Sequence, residues 1–250
     1  MTRNPDPDLD LDDAALEALN ARFAAASPQE ILTWAWETFG PEEVAVSSSF
    51  QTQSVPLLHI IAQTCPQMPV LFIDTGFHFP ETLAFRDRLQ ARWDLNIHVV
   101  RPAISKGELF RKYGEGLYRH DPDLCCYINK VRPMQEALKS FRAWIAGVRR
   151  DQTKNRQGLE VVIRQAADLL KVHPLLNWTE EQVAAYREAH ELPVHPLYYQ
   201  GYPSVGCAPC TRPVFSVTAD AGDTNDARAG RWAESDKKKT ECGLHLDWDK

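Results

Sequence analysis

The residues of this 250-residue chain whose spacing most directly suggests chemistry are its cysteines. Four of them form two close pairs, Cys125 with Cys126 and Cys207 with Cys210. Four soft sulfur ligands suit either a tetrahedral zinc ion or a [4Fe–4S] cluster. Structural zinc sites usually space their ligands by roughly two to four residues, whereas neighbours on a helix point about 100° apart. The adjacent pair therefore favours the wider iron–sulfur cluster, and zinc remains open.

The two remaining cysteines differ in their surroundings. Cys242 lies near the end of the chain, after Lys237, Lys238 and Lys239 and before His245. Nearby cations stabilise a thiolate, so a reactive thiol is one interpretation and a cysteine without function is the other. Cys65 has no companion and is expected to be structural. A positive charge beside the metal centre is expected from Lys130, one helical turn after Cys126.

Short apolar runs alternate with amphipathic stretches along the chain, which predicts an α/β fold with a mostly parallel sheet flanked by helices. In this architecture ligands bind beyond the carboxyl ends of the strands. The predicted strands are 44–48, 70–74, 97–100 and 144–148. The predicted helices are 14–25, 28–39, 52–64, 80–93, 105–113, 124–140 and 178–190.

Three polar segments follow predicted strands: SSSFQTQ (47–53), DTGFHFPET (74–82) and GVRRDQ (147–152). Hydroxyls and backbone N–H groups at the start of a helix favour an oxyanion, although the serines also suit a simple helix cap. Arg149 and Arg150 suit a phosphate, with a solvated loop as the alternative. A second arginine pair, Arg228 and Arg231, stands in RAGRW (228–232) and could close over the same anion.

The chain organisation is expected to comprise a disordered acidic leader (1–13), one α/β domain (14–218) and a mobile C-terminal arm (219–250). The formal net charge of −6 argues against general nucleic-acid binding. There is no apolar signal region and no run of roughly 18 apolar residues, so a cytoplasmic protein without a membrane partner is expected. In that reducing compartment disulfides are not expected, so the spacing of the six cysteines is examined for metal binding or catalysis.

Together these motifs resemble the adenylyl-sulfate (APS) reductase branch of the APS/PAPS reductase family. The resemblance extends over nearly the whole chain after the leader, through SSSF, DTGFHFPET, CCxxxK, WIAGVRRDQ, KVHPLLNWT, GYPSVGCAPCTRP, RAGRW and TECGLH. It implies an adenine nucleotide α-hydrolase-like fold. It also implies reduction of APS to sulfite and AMP in assimilatory sulfate reduction, with thioredoxin or a similar dithiol protein as reductant.

The resemblance also assigns roles to individual residues. Cys242 matches the nucleophile of the ECGxH motif, which forms an S-sulfocysteine, and His245 matches the histidine of that motif. Lys130 matches the lysine between cluster and substrate. The residues that match ligands of the [4Fe–4S] cluster are Cys125, Cys126, Cys207 and Cys210. Those that match positions holding phosphate and sulfate are Ser47, Ser49, Arg149, Arg150, Arg228 and Arg231.

This sequence departs from the family pattern at two positions. Gln51 stands where the family often has a glycine in the anion loop, and Asn129 replaces the arginine of CCxxRK. A PAPS reductase, or an enzyme that accepts both substrates, is the nearest alternative function. A zinc-stapled nucleotide-binding module without catalysis is an alternative of another class. A pyrophosphatase-type ligase is disfavoured because SSSFQTQ lacks the glycines and Asp of that loop. The oligomeric state is left open.

Overall fold

A computed structural model of the protein describes residues 11–166, 169–216, 228–235 and 243–244. Six strands form one sheet: β1 (Val44–Ser47), β2 (Val70–Ile73), β3 (Ile97–Val100), β4 (Ala143–Ala146), β5 (Val162–Ala166) and β6 (Leu169–Val172). The helices are α1 (Asp13–Phe23), α2 (Pro28–Phe39), α3 (Val55–Thr64), α4 (Pro80–Trp93), α5 (Lys106–Tyr113), α6 (Leu117–His120), α7 (Pro122–Cys126), α8 (Arg132–Leu138) and α9 (Glu180–Ala189).

The strand order is β3-β2-β1-β4-β6-β5, and every pair is parallel except β5 with β6. The prediction of a mostly parallel sheet flanked by helices is therefore confirmed. The order runs from β1 through β2 to β3 on one side and continues with β4 on the other. The carboxyl ends of β1 and β4 therefore flank a topological switch point, where doubly wound folds bind their ligands.

Local sequence signals set several helix starts. Ser27 and Glu30 form a capping box at the start of α2, with Pro28 in its first turn. The same reciprocal pairing links Ser105 with Glu108 before α5. Because the cap satisfies backbone N–H groups that have no partner inside the helix, α2 begins at Pro28, as the sequence predicts.

The main core lies between the sheet and its helices. Strands β1 and β4 are apolar along almost their whole length, as expected for strands covered on both faces. Trp144 is fully buried in β4, and Phe50 and Phe72 pack edge to face with their ring centroids 5.5 Å apart. This rigid layer fixes the loops that follow β1, β2 and β4.

The predicted helix 124–140 is interrupted. Between α7 and α8 the chain forms a π-helical turn, Tyr127–Val131. Pro133 has no N–H to donate to the carbonyl of Asn129, which removes one α-helical hydrogen bond at this point. Single π turns inside helices often accompany functional sites, and this one carries Lys130.

Four further elements differ from the prediction. Strands β5 and β6 and the short helix α6 were not predicted, and residues 52–54 form a 3₁₀ turn before α3. Helix α1 begins at Asp13, capped by the Asp12 side chain. No helix formed by the described residues is long and apolar enough to span a membrane.

Candidate active site

The loop after β1 forms one wall of a cleft at the switch point. Ser47, Ser48 and Ser49 all line this cleft. Ser47 Oγ accepts a hydrogen bond of 2.8 Å from the indole N–H of Trp144 in β4. Ser48 Oγ accepts the backbone N–H of Phe50 at 3.1 Å. The backbone N–H of Ser48 donates to the carbonyl of Leu71 in β2 at 3.1 Å, so the serine run is held by both neighbouring strands.

Gln51 does not strain the anion loop, although the related family often has glycine at this position. Its φ of −86° is accessible to any residue. The positive φ falls instead on the buried Phe50, at 52°. The Gln51 side chain accepts the backbone N–H of Val205 at 3.1 Å. The loop is thus tied to the segment that leads into Cys207.

The cleft is strongly cationic for a chain of net negative charge. Its volume is about 170 Å³. Four basic residues line it, and no Asp or Glu is found among the described lining residues. The basic residues are Lys130, Arg156, Arg228 and Arg231. Local clustering of this kind attracts an anion despite the overall charge.

Arg149 and Arg150 do not line this cleft. The guanidinium of Arg149 is buried and bonds to both carboxylate oxygens of Asp151, at 2.9 and 3.2 Å, and to Gln53 at 2.7 Å. Arg150 bonds to Asn177 and to the carbonyl of Leu159. Both guanidinium groups are thus hydrogen-bonded to other residues of the protein. The assignment of Arg149 and Arg150 as phosphate ligands stays a prediction.

The segment 228–235 forms the opposite wall of the cleft. Its backbone is joined to the CAPC segment by a bond from Trp232 N–H to the Cys210 carbonyl, 2.9 Å, and by a bridge between Thr211 and Arg231. The guanidinium carbon of Arg231 stacks 4.5 Å from the Trp232 ring centroid. The predicted second arginine pair is therefore located at the same cleft as the serine loop.

Directly behind this wall, the four paired cysteines surround a second, smaller cavity. Cys125, Cys126, Cys207 and Cys210 all line it, so the two sequence pairs are brought together. Lys130 and Trp232 line both this cavity and the cleft. Within the described ranges, no three His, Cys, Asp or Glu side chains are placed to hold one metal ion. The cysteines are gathered without forming a compact single-ion site.

The thiols of this cavity are buried and mutually close. Burial, reinforced by the neighbouring Cys207 and Cys210, raises the pKa of Cys125 to about 12. The pKa of the Cys210 thiol is also raised, mainly by burial and to a lesser extent by the neighbouring Cys207. Thr75 Oγ1 lies 3.4 Å from Cys207 Sγ, and the Asn129 amide lies 3.6 Å from Cys125 Sγ. Thiolates here need compensating positive charge, which a metal centre supplies.

Two polar side chains from DTGFHFPET also line the cleft, His78 and Thr82. Nε2 of His78 lies 2.7 Å from the carbonyl oxygen of Ile73, and burial lowers the pKa of this imidazole. Thr82 Oγ1 lies 2.9 Å from Nε2 of the buried His195. The sequence placed this segment after a strand and left open whether it lines a ligand site or serves as scaffold. The polar residues on either side of Pro80 were the sequence signal that could have indicated cleft-lining side chains here.

Arg156 is another lining residue whose role the sequence did not specify. Its side chain is buried and bonds to Gln152, which also lines the cleft.

Only two residues of the TECGLH motif are described. Leu244 lines the cleft, and Gly243 has a φ of +82° and lies beside Val131 of the π turn. The predicted nucleophile Cys242 and the predicted His245 lie outside the described residues. The motif that contains Cys242 therefore contributes a neighbouring side chain to the same cleft as Lys130 and Arg231.

The fold and its cationic switch-point cleft define a doubly wound α/β protein with a site suited to an anion. The chain belongs to the phosphoadenosine phosphosulfate reductase domain family, which matches residues 43–213. This is a family of oxidoreductases, and the sequence resemblance is confirmed at that level.

Relatives align over most of the chain. An adenosine 5'-phosphosulfate reductase from Salinibacter ruber is 40% identical over 231 residues, which cover 92% of this chain and 88% of that protein. A phosphoadenosine 5'-phosphosulfate reductase from Gloeobacter violaceus is 41% identical over 241 residues, covering 96% and 97%. Relatives with either substrate in their names are thus about equally similar.

Solved structures agree with the fold. The phosphoadenylyl-sulfate reductase from Candida auris, in a phosphate complex, has a TM-score of 0.70 and 30% identity, covering 80% of this chain and 98% of that one. The FMN adenylyltransferase from Candida glabrata, with ATP, has a TM-score of 0.55 at 17% identity, covering 89% and 73%. The second likeness concerns the fold alone.

Proposed function

We propose that this protein reduces adenylyl sulfate to sulfite and AMP, with Cys242 as the nucleophile and a thioredoxin-type dithiol protein as the reductant. The observation that carries the proposal is the shared wall formed by Lys130 and Trp232. On one side lies a cationic cleft at the switch point, and on the other lie four cysteines. A substrate anion in the cleft would therefore lie directly beside the thiol-rich cavity.

The first step is a displacement at sulfur. The Cys242 thiolate attacks the sulfur of the sulfuryl group, the sulfur–oxygen bond to the phosphate breaks, and AMP leaves with the electron pair. The product on the protein is an S-sulfocysteine. Leu244 lines the cleft only two residues after Cys242, and two residues span at most about 7 Å. This short tether supports Cys242 as the attacking group.

The second step regenerates the thiol. A thiolate of the reductant attacks the Cys242 sulfur, and sulfite leaves with the electron pair of the broken sulfur–sulfur bond. The second thiol of the reductant then resolves the mixed disulfide. Both electrons come from the dithiol, which ends as a disulfide. No disulfide joins the described cysteines.

The positive charges of the cleft would offset repulsion between a thiolate and an anionic substrate. Lys130, Arg228 and Arg231 line the cleft from two separate segments, and charge fixed before the reaction stabilises the developing charge on the departing phosphate. Ser47 and Ser49 would orient the phosphate at the serine loop. His245 is proposed to assist at Cys242, as its motif implies.

The donor set of the second cavity supports a [4Fe–4S] cluster held by Cys125, Cys126, Cys207 and Cys210. Four cysteines and no carboxylate or histidine line the described part of this cavity, and thiolate-only sets suit such clusters. A cluster held there would supply a fixed electrostatic environment beside the substrate, while both electrons of the reaction come from the dithiol. Lys130, which lines both cavities, would hold its own positive charge between the four thiolates and the cleft.

Single-turnover labelling tests the nucleophile. Purified holoprotein is incubated with ³⁵S-labelled APS without reductant, and the labelled peptide is identified by mass spectrometry. We expect label on Cys242 and its release as sulfite when thioredoxin is added. Cys65→Ser is the matched control and should label normally. Label that persists in Cys242→Ser would refute the assignment.

The same assay with labelled PAPS tests the nearest alternative function, because relatives named for either substrate are about equally similar. Metal analysis tests the zinc alternative: about four irons per chain are expected. One zinc and no iron would contradict the cluster.

A further inference from the structure

Three side chains lie on one face of the sheet, on three neighbouring strands. In the parallel register Trp144 of β4 stands opposite Ala45 of β1 and Lys171 of β6. Ser47 follows two residues after Ala45, and side chains two residues apart along a strand share a face. The small side chain of Ala45 leaves room for the indole of Trp144 to reach Ser47. This row of side chains therefore runs from the buried Lys171 to the cleft, which Ser47 lines.

The direction of the hydrogen bond between Trp144 and Ser47 is fixed by the chemistry of the two groups. An indole N–H can only donate, so Ser47 Oγ is the acceptor at 2.8 Å. Within the described part of the chain, Trp144 is the one hydrogen-bond partner of the Ser47 hydroxyl. The indole hydrogen repels the hydroxyl hydrogen, which is therefore directed away from Trp144. Because Ser47 is only partly buried and lines the cleft, its hydrogen can be donated to an acceptor there.

Lys171 strengthens the indole as a donor. Its ammonium lies over the ring of Trp144, with Nζ 4.1 Å from the ring centroid. The two residues are 1% and 0% exposed, so water does not screen this cation–π contact. A cation over an aromatic face draws electron density from the ring, and polarised groups form stronger hydrogen bonds in a buried network. Gln165 Oε1 accepts from Nζ at 3.0 Å and helps to hold the ammonium in place.

We propose that Trp144 is a positioning residue, which presets the Ser47 hydroxyl as a donor to an anionic oxygen of the ligand, and that Lys171 reinforces it through the indole ring. Neither Trp144 nor Lys171 is among the described residues that line the cleft, so both act through Ser47. A donor that is already aimed need not reorganise when the anion binds. This inference rests on the proposed function, because it takes the anion to be the phosphate or sulfate of an adenylyl nucleotide.

A double-mutant cycle separates positioning from packing. The affinity for AMP is measured by isothermal titration calorimetry on holoprotein carrying Trp144→Phe, Ser47→Ala or both. We expect each single substitution to weaken AMP by about fivefold, because either change removes the oriented donor. The double variant should bind no more weakly than Ser47→Ala alone, since Trp144 acts through Ser47. Trp34→Phe, at a partly buried tryptophan outside the cleft, is the matched control. Equal weakening by Trp144→Phe in both backgrounds would indicate a role in packing alone and overturn the proposal.

A second cycle leaves the indole intact and so does not depend on whether Trp144→Phe folds. Lys171→Met should weaken AMP by about twofold in the wild-type background and have no effect beside Ser47→Ala. Lys139→Met, at an exposed lysine, is the control. Wild-type affinity in Lys171→Met would overturn the contribution of Lys171.

The indole proton of Trp144 provides a signature that a packing role would not produce. Protein labelled with ¹⁵N-indole tryptophan is expected to give one proton–nitrogen correlation signal for each of its 7 tryptophans. The signal missing from Trp144→Phe, or the one that responds to Ser47→Ala, belongs to Trp144. Its proton should move upfield in Ser47→Ala, which removes the acceptor, and by less in Lys171→Met. AMP should shift this signal in the wild type and not in Ser47→Ala. If Ser47→Ala shifts no indole signal, the proposal is overturned.

Sulfite release from APS is measured separately on the same wild-type preparation. Sulfite release without coupling between Trp144 and Ser47 would overturn this inference and leave the proposed function standing. Coupling without sulfite release would overturn the proposed function and leave the orienting role of Trp144 standing.

Discussion

The guanidinium of Arg231 lies against the backbone of Gly206 so closely that a Cβ atom at position 206 would come within 2.5 Å of its Cζ atom. The φ of Gly206 is accessible to any residue. Glycine is therefore required at this position only because the Arg231 side chain approaches so closely. The absence of a side chain at 206 thus lets Arg231 occupy the wall of the cleft beside Trp232.

Gly206→Ala should displace Arg231 and weaken AMP binding by about tenfold, because the charge-assisted contact that we propose between Arg231 and the phosphate would be lost. Calorimetric titration with AMP measures the effect. Gly107→Ala is the matched control, since a Cβ at that position meets nothing within 4 Å. Wild-type affinity in Gly206→Ala would show that Arg231 makes no contribution to binding.

Asn129→Leu should destabilise the protein by about 1–3 kcal/mol, the usual cost of leaving a buried polar group without its partner. The Asn129 amide donates to the Cys125 carbonyl at 2.8 Å, and the side chain is buried. Urea unfolding of the holoprotein measures the change. Asn96→Leu is the control, because Asn96 makes a similar bond to a backbone carbonyl, at 3.0 Å, in an exposed position. Equal losses in both variants would contradict the importance of burial.

Cys65 should resist alkylation by iodoacetamide at pH 8. Its side chain is 1% exposed, and burial, aided by Glu37, raises its pKa to about 12, so almost no thiolate is present. Mass spectrometry of the tryptic peptide gives the modified fraction. A sample in urea, where Cys65 is exposed, should react fully. Rapid modification of the folded protein would mean that the α3 region opens readily.

The protein should lose stability as the pH falls below about 6.5. Burial lowers the pKa of His195 to about 4 and that of His173 to about 3. In the unfolded chain both imidazoles regain the ordinary value near 6.5 and bind protons first. Their contribution is therefore fully present above pH 6.5 and decreases progressively toward pH 4 for His195 and toward pH 3 for His173.

Urea unfolding at pH 7.5 and pH 5.0 measures this dependence, and His195→Gln should reduce it. The neighbouring charges on His195 act in opposite directions, since Glu81 raises its pKa and Arg88 lowers it. An unchanged pH dependence in His195→Gln would show that His195 is not the responsible group.

The sequence predicted most of what surrounds the cleft because the positions follow from general rules. The carboxyl ends of parallel strands lie at one edge of the sheet, so the serine loop after β1 lies at the switch point. The two cysteine pairs could be matched by their chemistry alone, and the structure brings them around one cavity.

The missed strands illustrate where such rules fail. Lys171 in β6 appears polar in sequence, yet it is 1% exposed, with Nζ 4.1 Å from the Trp144 ring centroid and 3.0 Å from Gln165. Tertiary partners made this lysine compatible with a buried strand. Similarly, Arg149 follows β4 as expected. Sequence spacing does not show, however, that its guanidinium donates hydrogen bonds to Asp151 and Gln53.

The π turn at Tyr127–Val131 has a consequence for changes in the length of this helix. A π turn accommodates one residue more than the α-helical turn that it replaces. Removing one residue there should therefore restore a regular helix while leaving α8 in place. The same deletion should change where Lys130 lies relative to Cys125 and Cys126, and with it the wall that Lys130 shares with the cleft.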